Sequence, residues 1–249
     1  MSFADDELDR YARHIVLHDF GGAGQARLNA ATIALVGAGG IGSPAIQYLA
    51  GAGVGRLLLI DDDRVDASNL HRQTIYAGAD AGTLKVEAAG AAVARLNPHV
   101  AVEVRGARLD AGNAAGLLAG ADAVVDGSDG FATRLAVADA ALAMRVPLVS
   151  ASVARFEGQL GVYRGWEPAL PCYRCFVGSA PERPGGSCAE DGVIGPAAGV
   201  MGTLAALEAV RAVSPFGEDP AGKLLLVDLL ALRFRAIRLL KDPGCPACG

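Results

Sequence analysis

Four of the five cysteines stand as two Cys-x-x-Cys pairs, Cys172/Cys175 in "PCYRCF" and Cys245/Cys248 in "GCPACG". A single pair is compatible with a redox dithiol. Two pairs make a tetrathiolate set that fills a tetrahedral Zn²⁺ and leaves no open position for catalysis. The expected role is therefore structural, a clamp pinning the C-terminal tail against residues 170–177. Cys188, in "GGSCAED", stands outside that set, with no His or Lys close in sequence to activate its thiol. A second concentration of chemistry is "VGAGGIG", where Gly37, Gly39 and Gly42 match G-x-G-x-x-G with an extra Gly40 between them. Such a turn brings backbone close to phosphates and aims helix N-terminal N–H groups at an anion.

The turn alone does not choose among NAD, FAD and ATP. Charged and polar residues further along do. Asp61 ends the next strand, where a ribose-binding carboxylate belongs. The following "DDDRVDASNLHRQ" supplies Asp63, Asn69, Arg72 and Gln73, Lys85 opens the next helix, and Asp129 lies in "GSDG". Two cations suit a triphosphate and a carboxylate suits Mg²⁺. No hydride-transfer constellation of His or Tyr accompanies them, so ATP is the expected nucleotide.

These residues need a scaffold that gathers them, and the hydrophobic pattern predicts one. "TIALVG" reads as a buried strand and "SPAIQYLAGAG" as a helix, with Ser43 as its cap and Pro44 in its first position. "GRLLLIDDD", "VAVEVRGARL", "DAVVDGSDG" and "PLVSASV" read as further strands, alternating with helices in "TLKVEAAGAAVARLNP", "AGNAAGLLAGA" and "FATRLAVADAALAMRV". This alternation to residue 153 predicts an α/β, Rossmann-like, doubly wound parallel sheet whose strand ends line a ligand crevice. Beyond it, "EGQLGVYRG" and "GKLLLVDLLALRFRAIRL" predict antiparallel strands that continue the sheet, with a helix at about 197–213. The expectation is one domain over residues 1–249, with a nucleotide-binding half (1–153) and a carrier-binding and zinc half (154–249).

Composition agrees with a buried sheet: 52% of the 249 residues are hydrophobic and 20% charged. A formal net charge of −5 argues against a nucleic-acid partner. Apolar stretches are interrupted before the ~20 residues of a membrane span, and the acidic start "MSFADDELDRYAR" does not read as a signal peptide. A cytoplasmic protein is the expectation.

With these stretches in view, the chain resembles the ThiF/MoeB/HesA family, bacterial relatives of the ubiquitin-activating enzymes. The resemblance runs through "RYARHIVL", "VGAGGIGSPAIQYLAGAGVGRLLLIDDDRVDASNLHRQ", "DGSDGFATR", "PCYRCF", "GVIGPAAGVMGTLAALEA" and "GCPACG". It implies adenylation, with ATP and Mg²⁺, of the Gly-Gly carboxylate of a small ubiquitin-like sulfur-carrier protein in thiamine or molybdopterin biosynthesis, by a homodimer. By motif, Gly40 and its turn would hold phosphates, Asp61 the ribose, and Asn69, Arg72 and Lys85 the triphosphate. Asp129 would sit by Mg²⁺ and the reacting carboxylate. Arg13 in "RYAR" would reach across the dimer as an arginine finger, and Cys188 matches a cysteine that in some members links to the carrier. Sulfur would come from a separate donor of cysteine desulfurase or rhodanese type. Two features depart from or refine the pattern. The family's Cys-Thr-Asp-Asn is here Gly127-Ser128-Asp129-Gly130, and "DDDRV" with "GPAAGVMGTL" leans toward the thiamine branch. Two other readings are an NAD(P)-dependent oxidoreductase and a catalytically silent carrier-binding scaffold; Arg13, Lys85 and Asp129 speak against the second.

Overall fold

The computed structural model describes residues 3–178 and 192–249. Two N-terminal helices, α1 (Asp5–Ile15) and α2 (Gly21–Ala30), precede a βα alternation: β1 (Thr32–Val36), α3 (Gly42–Ala52), β2 (Arg56–Ile60), α4 (Lys85–Leu96), β3 (Ala101–Arg105), α5 (Ala114–Leu117), β4 (Ala123–Asp126), α6 (Phe131–Met144) and β5 (Leu148–Ala154). The chain then runs through β6 (Glu157–Tyr163), α7 (Tyr173–Val177), α8 (Gly195–Val213), β7 (Lys223–Asp228) and β8 (Arg233–Arg238). All eight strands form a single sheet in the order β3-β2-β1-β4-β5-β6-β7-β8. The first five are parallel and the last three antiparallel, as the change in sequence texture predicted.

The period-2 rule of strands splits the core in two. Ile33, Leu35, Leu57, Leu59 and Val125 point to the face covered by α3, α4 and α8. Ala34, Val36, Leu58, Ile60 and Val124 point to the face covered by α5, α6 and α7. Parallel strands buried on both sides need continuous apolar runs, which "TIALV" and "RLLLI" supply. The far edge strand β8, "RFRAIR", has largely exposed residues, three of them arginines, a charged edge that resists pairing with another sheet.

The chain leaves β1 toward β2 and β3 on one side and returns to β4 and β5 on the other. The carboxyl ends of β1 and β4 therefore flank a topological switch point, where ligands of open α/β sheets bind. α8, at 19 residues, is long and apolar enough to cross a bilayer by length and composition. The sequence expectation of no such segment is thus too strong. In this fold Ala197, Ala198, Met201, Ala205, Ala206 and Ala209 bury one face of the helix against the sheet and α3.

One detail corrects the sequence reading of α3. The helix begins at Gly42, with Ile41 in the capping position, and Ser43 does not cap it. The fully buried Ser43 hydroxyl instead accepts from the Ile75 N–H at 2.8 Å, tying the helix to the loop after β2. Pro44 is the third residue of the helix, two positions later than expected, still in the first turn where a missing N–H costs little.

Candidate functional site

The glycine turn closes against the carboxyl ends of β2 and β4. Gly37 adopts φ +88°, in the left-handed region, and donates its N–H to Ile60 O at 2.9 Å. A Cβ there would lie 3.0 Å from the backbone nitrogen of Ser128, and one on Gly42 only 2.0 Å from Gly37 O. The turn is therefore as tight as its glycines allow. Gly39 lies beside Gln73, and Gly40 lies between Ala198 of α8 and the Arg72 stem. The N–H of Ala38 is taken by Asp61 and that of Ser43 by Gly39 O, but the N–H groups of Gly39, Gly40 and Ile41 make no hydrogen bond among the described residues. Next to them, Gln73 is buried with its side-chain carbonyl unpartnered. Unpaired donors at a helix head and an orphaned buried acceptor beside them are what a bound nucleotide would satisfy.

Asp61 accepts from the N–H of Ala38 at 2.7 Å and from that of Asp63 at 2.8 Å. Burial holds its carboxyl above the ordinary carboxylate range, with the Lys85 charge and the two N–H bonds offsetting part of the rise. Tyr76, buried, donates to Ala38 O at 2.8 Å from the opposite side. Lys85 is nearly buried and paired with the exposed Asp63 at 2.7 Å. Arg72 is held by the side chain of Asn69 and lies beside the His71 ring. A short helical turn, Ala67–Asn69, sets this geometry, with Asp66 capping it through the Ser68 N–H at 2.7 Å.

Across the switch point, Asp126 ends β4, buried, its Oδ1 accepting from the Ser128 N–H at 3.0 Å and the Ser128 hydroxyl at 2.7 Å. Burial raises its carboxyl, and Arg134 and Ser128 oppose that rise. Arg134 reaches back from α6 to donate twice to Ser128 O, at 2.9 and 2.6 Å. Asp129, next in the chain, is exposed. The structure thus brings Gly37, Gly39, Gly40, Gly42, Asp61, Asn69, Arg72, Gln73 and the Asp129 loop to one crevice, with the Asp63–Lys85 pair at its rim. Sequence reading missed Asp126, Tyr76 and Ser128. Asp126 had a signal, an acid at the end of an apolar strand, and Ser128 had one in its place within the "GSDG" motif; Tyr76 had none.

Arg13 is not brought to that crevice within one chain. The Tyr11 hydroxyl is bonded to Asn97 Nδ2 at 2.8 Å, and Asn97 also donates to Ala50 O, so α1 packs at the far end of α3 from the turn. Arg13 is exposed there and forms no hydrogen bond or ion pair among the described residues. Cys188 lies outside the described residues.

The four cysteines do converge. Their sulfurs lie within 4.8 Å of one another, with Cys172–Cys175 at 3.8 Å, Cys172–Cys245 at 3.6 Å and Cys175–Cys248 at 3.4 Å. A tetrahedral zinc with ~2.3 Å bonds to sulfur requires sulfur–sulfur spacings of about 3.8 Å, whereas a disulfide needs about 2.05 Å. The set fits zinc. Burial pushes the Cys172 thiol up, while at Cys245 the N–H groups of Ala247 and Cys248 help to outweigh burial and bring the thiol to about 7.

Comparison with known proteins places this arrangement. The ThiF family model matches residues 11–247. The chain belongs to the ThiF family. Its relatives in that family include the sulfur carrier protein adenylyltransferase of Thermus thermophilus, 44% identical over all of this chain and 93% of that one. The molybdopterin-synthase adenylyltransferase of Salmonella typhimurium is 41% identical, covering 99% of this chain and 98% of that one. In fold, the chain is similar to the crystal structure of Escherichia coli MccB with MccA-N7isoASN, at TM-score 0.85 and 22% identity, over 97% of this chain and 74% of that one.

Proposed function

We propose that this ThiF-family chain adenylates the C-terminal Gly-Gly carboxylate of a ubiquitin-like sulfur-carrier protein. A carboxylate oxygen attacks the α-phosphorus of ATP, the bond to the β-phosphate oxygen breaks, and pyrophosphate leaves. Two anions must meet, so the work of the site is positioning and positive charge more than proton transfer. The observation that carries the reading is the cluster of unpaired N–H groups at Gly39, Gly40 and Ile41 beside Arg72 and the orphaned Gln73 carbonyl. Asp61 would take the ribose hydroxyls, Asn69, Arg72 and Lys85 the phosphates, and Asp129 would face the reacting carboxylate. Mg²⁺, held at Asp129, would neutralise phosphate charge. The names of the two relatives support this chemistry. Intact-mass analysis of a Gly-Gly-ending carrier after incubation with the protein, ATP and Mg²⁺ tests it: an added AMP supports the reading and an unmodified carrier opposes it.

Between pathways, the molybdopterin-synthase relative supports a molybdopterin-type carrier, and "DDDRV" a thiamine-type one. Within the chain, residues 1–153 would hold the nucleotide and 154–249 the carrier and a structural zinc on Cys172, Cys175, Cys245 and Cys248. Cys188 would then be free for a covalent link to the carrier. A cytoplasmic homodimer working with a separate sulfur donor completes the proposal. The exposure of Arg13, which makes no hydrogen bond or ion pair among the described residues, supports delivery of that arginine to a second copy's site. Arg13→Ala and Asp129→Ala are then each inactive alone, and after mixing and subunit exchange recover about a quarter of wild-type activity, because half of the dimers have one intact site. Two variants that stay inactive when mixed refute a shared site.

A further inference from the structure

The cysteine cluster and the Asp129 loop are joined by a continuous chain of contacts. Cys172 precedes α7 and Cys175 lies within it. Between them Arg174 turns to α6 and donates to both oxygens of Asp139, at 2.7 Å each, a two-bond geometry that fixes orientation as well as distance. Tyr173, buried, shares the apolar cluster of α6 with Leu135 and Ala138 and sets its ring edge-on to Tyr163 at 5.4 Å. At the head of α6, Arg134 grips Ser128 O with two bonds, while Asp126 holds the N–H and hydroxyl of Ser128. Both ends of Ser128 are thereby fixed, and Asp129 follows it directly.

We propose that Arg174–Asp139 and Arg134–Ser128 form a positioning strut, through which the metal-loaded cysteine cluster sets the orientation of the Asp129 carboxylate. The cluster then acts on the chemical step as well as anchoring the tail. The inference rests on the adenylation reading only for what Asp129 does; the mechanical link stands on its own contacts. None of these strut residues is among those assigned above to the nucleotide. Their loss therefore lowers kcat and leaves ATP affinity largely alone, because misplacement of a reacting group by a fraction of its contact distance slows chemistry without removing binding.

Amide hydrogen exchange of the full chain, with and without removal of its metal by a chelator, reads the link directly. In wild-type protein, stripping the metal speeds exchange of the 127–134 amides on the order of 10-fold, together with that of residues 172–177. Arg174→Gln keeps its metal but shows the same faster exchange at 127–134, and its kcat for pyrophosphate exchange drops about 10-fold with the KM for ATP within about 2-fold. Arg134→Lys, which keeps the charge but loses the forked pair of bonds, recovers activity only in part relative to Arg134→Gln. Unchanged exchange at 127–134 after metal removal, while 172–177 becomes exposed, overturns the strut. So does wild-type kcat in Arg174→Gln. If the wild-type protein adenylates no carrier, the functional reading fails, and amide exchange alone still decides the strut.

Discussion

The glycine-turn crevice and the cysteine cluster solve the same problem, holding several side chains in register, by opposite means. In the crevice the sheet does the holding. Parallel β1, β2 and β4 end side by side, so residues just beyond each end must meet, whatever their sequence separation. In the cluster no sheet strand carries the ligands, and residues 73 positions apart meet where the four sulfurs converge, with Lys241 donating to Gly165 O at 2.9 Å beside them. The first arrangement is preorganised by the core and left incomplete for a ligand. The second is complete in donors and depends on what they bind. A ligand should therefore act on activity in the first region, and in the second chiefly on stability, reaching the chemical step only through the strut to Asp129.

The largest effect that can break this contrast belongs to the crevice. Asp129→Ala and Arg72→Ala are each expected to slow adenylation on the order of 10²–10³-fold, the usual consequence of removing one electrostatic stabiliser, with melting temperatures close to wild type. A large loss of thermal stability in either would mean that the crevice side chains support the fold and are not held in reserve for substrate.

The contrast also explains what the sequence made legible. "TIALVG", "GRLLLIDDD" and "DAVVDGSDG" announce buried strands because parallel strands covered on both faces must be apolar throughout, and their polar ends mark the crevice. Those signals are local. The contacts missed, Tyr76 to Ala38 O and Arg134 to Ser128 O, span 38 and 6 positions with no periodicity to reveal them. Ser43 misled for the same reason. A serine before a helix suggests a cap, yet its hydroxyl serves a loop 32 residues away. The cysteine pairs were legible because a tetrathiolate requires a short spacing within each pair and tolerates any spacing between them.

Next in size is the cluster. Cys245→Ser, or chelation, should release the bound metal and lower the melting temperature by roughly 10 °C, a few kcal/mol in a domain of this length. ATP should still raise the melting temperature of the variant. Loss of ATP-induced stabilisation along with the metal would show that the two regions share one folding unit and would remove the distinction between them.

The smallest effect sharpens the crevice side. Asp126 is buried and its carboxyl is raised above 3.8, the ordinary value, chiefly by burial. A raised carboxyl contributes stability that is complete below the unfolded value and is lost as pH climbs through the folded one. Asp126→Asn keeps the acceptor for Ser128 and removes that loss. Its melting temperature relative to wild type should accordingly be more favourable at pH 7 than at pH 4. A difference that is the same at both values, measured by calorimetry, would mean that Asp126 does not titrate between them.

The central claim is most directly tested by ATP–pyrophosphate exchange with purified protein, Mg²⁺ and molybdopterin-type and thiamine-type carriers, each with and without its terminal glycine. The account predicts exchange with at least one intact carrier and none with its truncated form, and the responsive carrier identifies the pathway. Measurable ATP binding without exchange for any intact carrier, or exchange that ignores the terminal glycine, would contradict it.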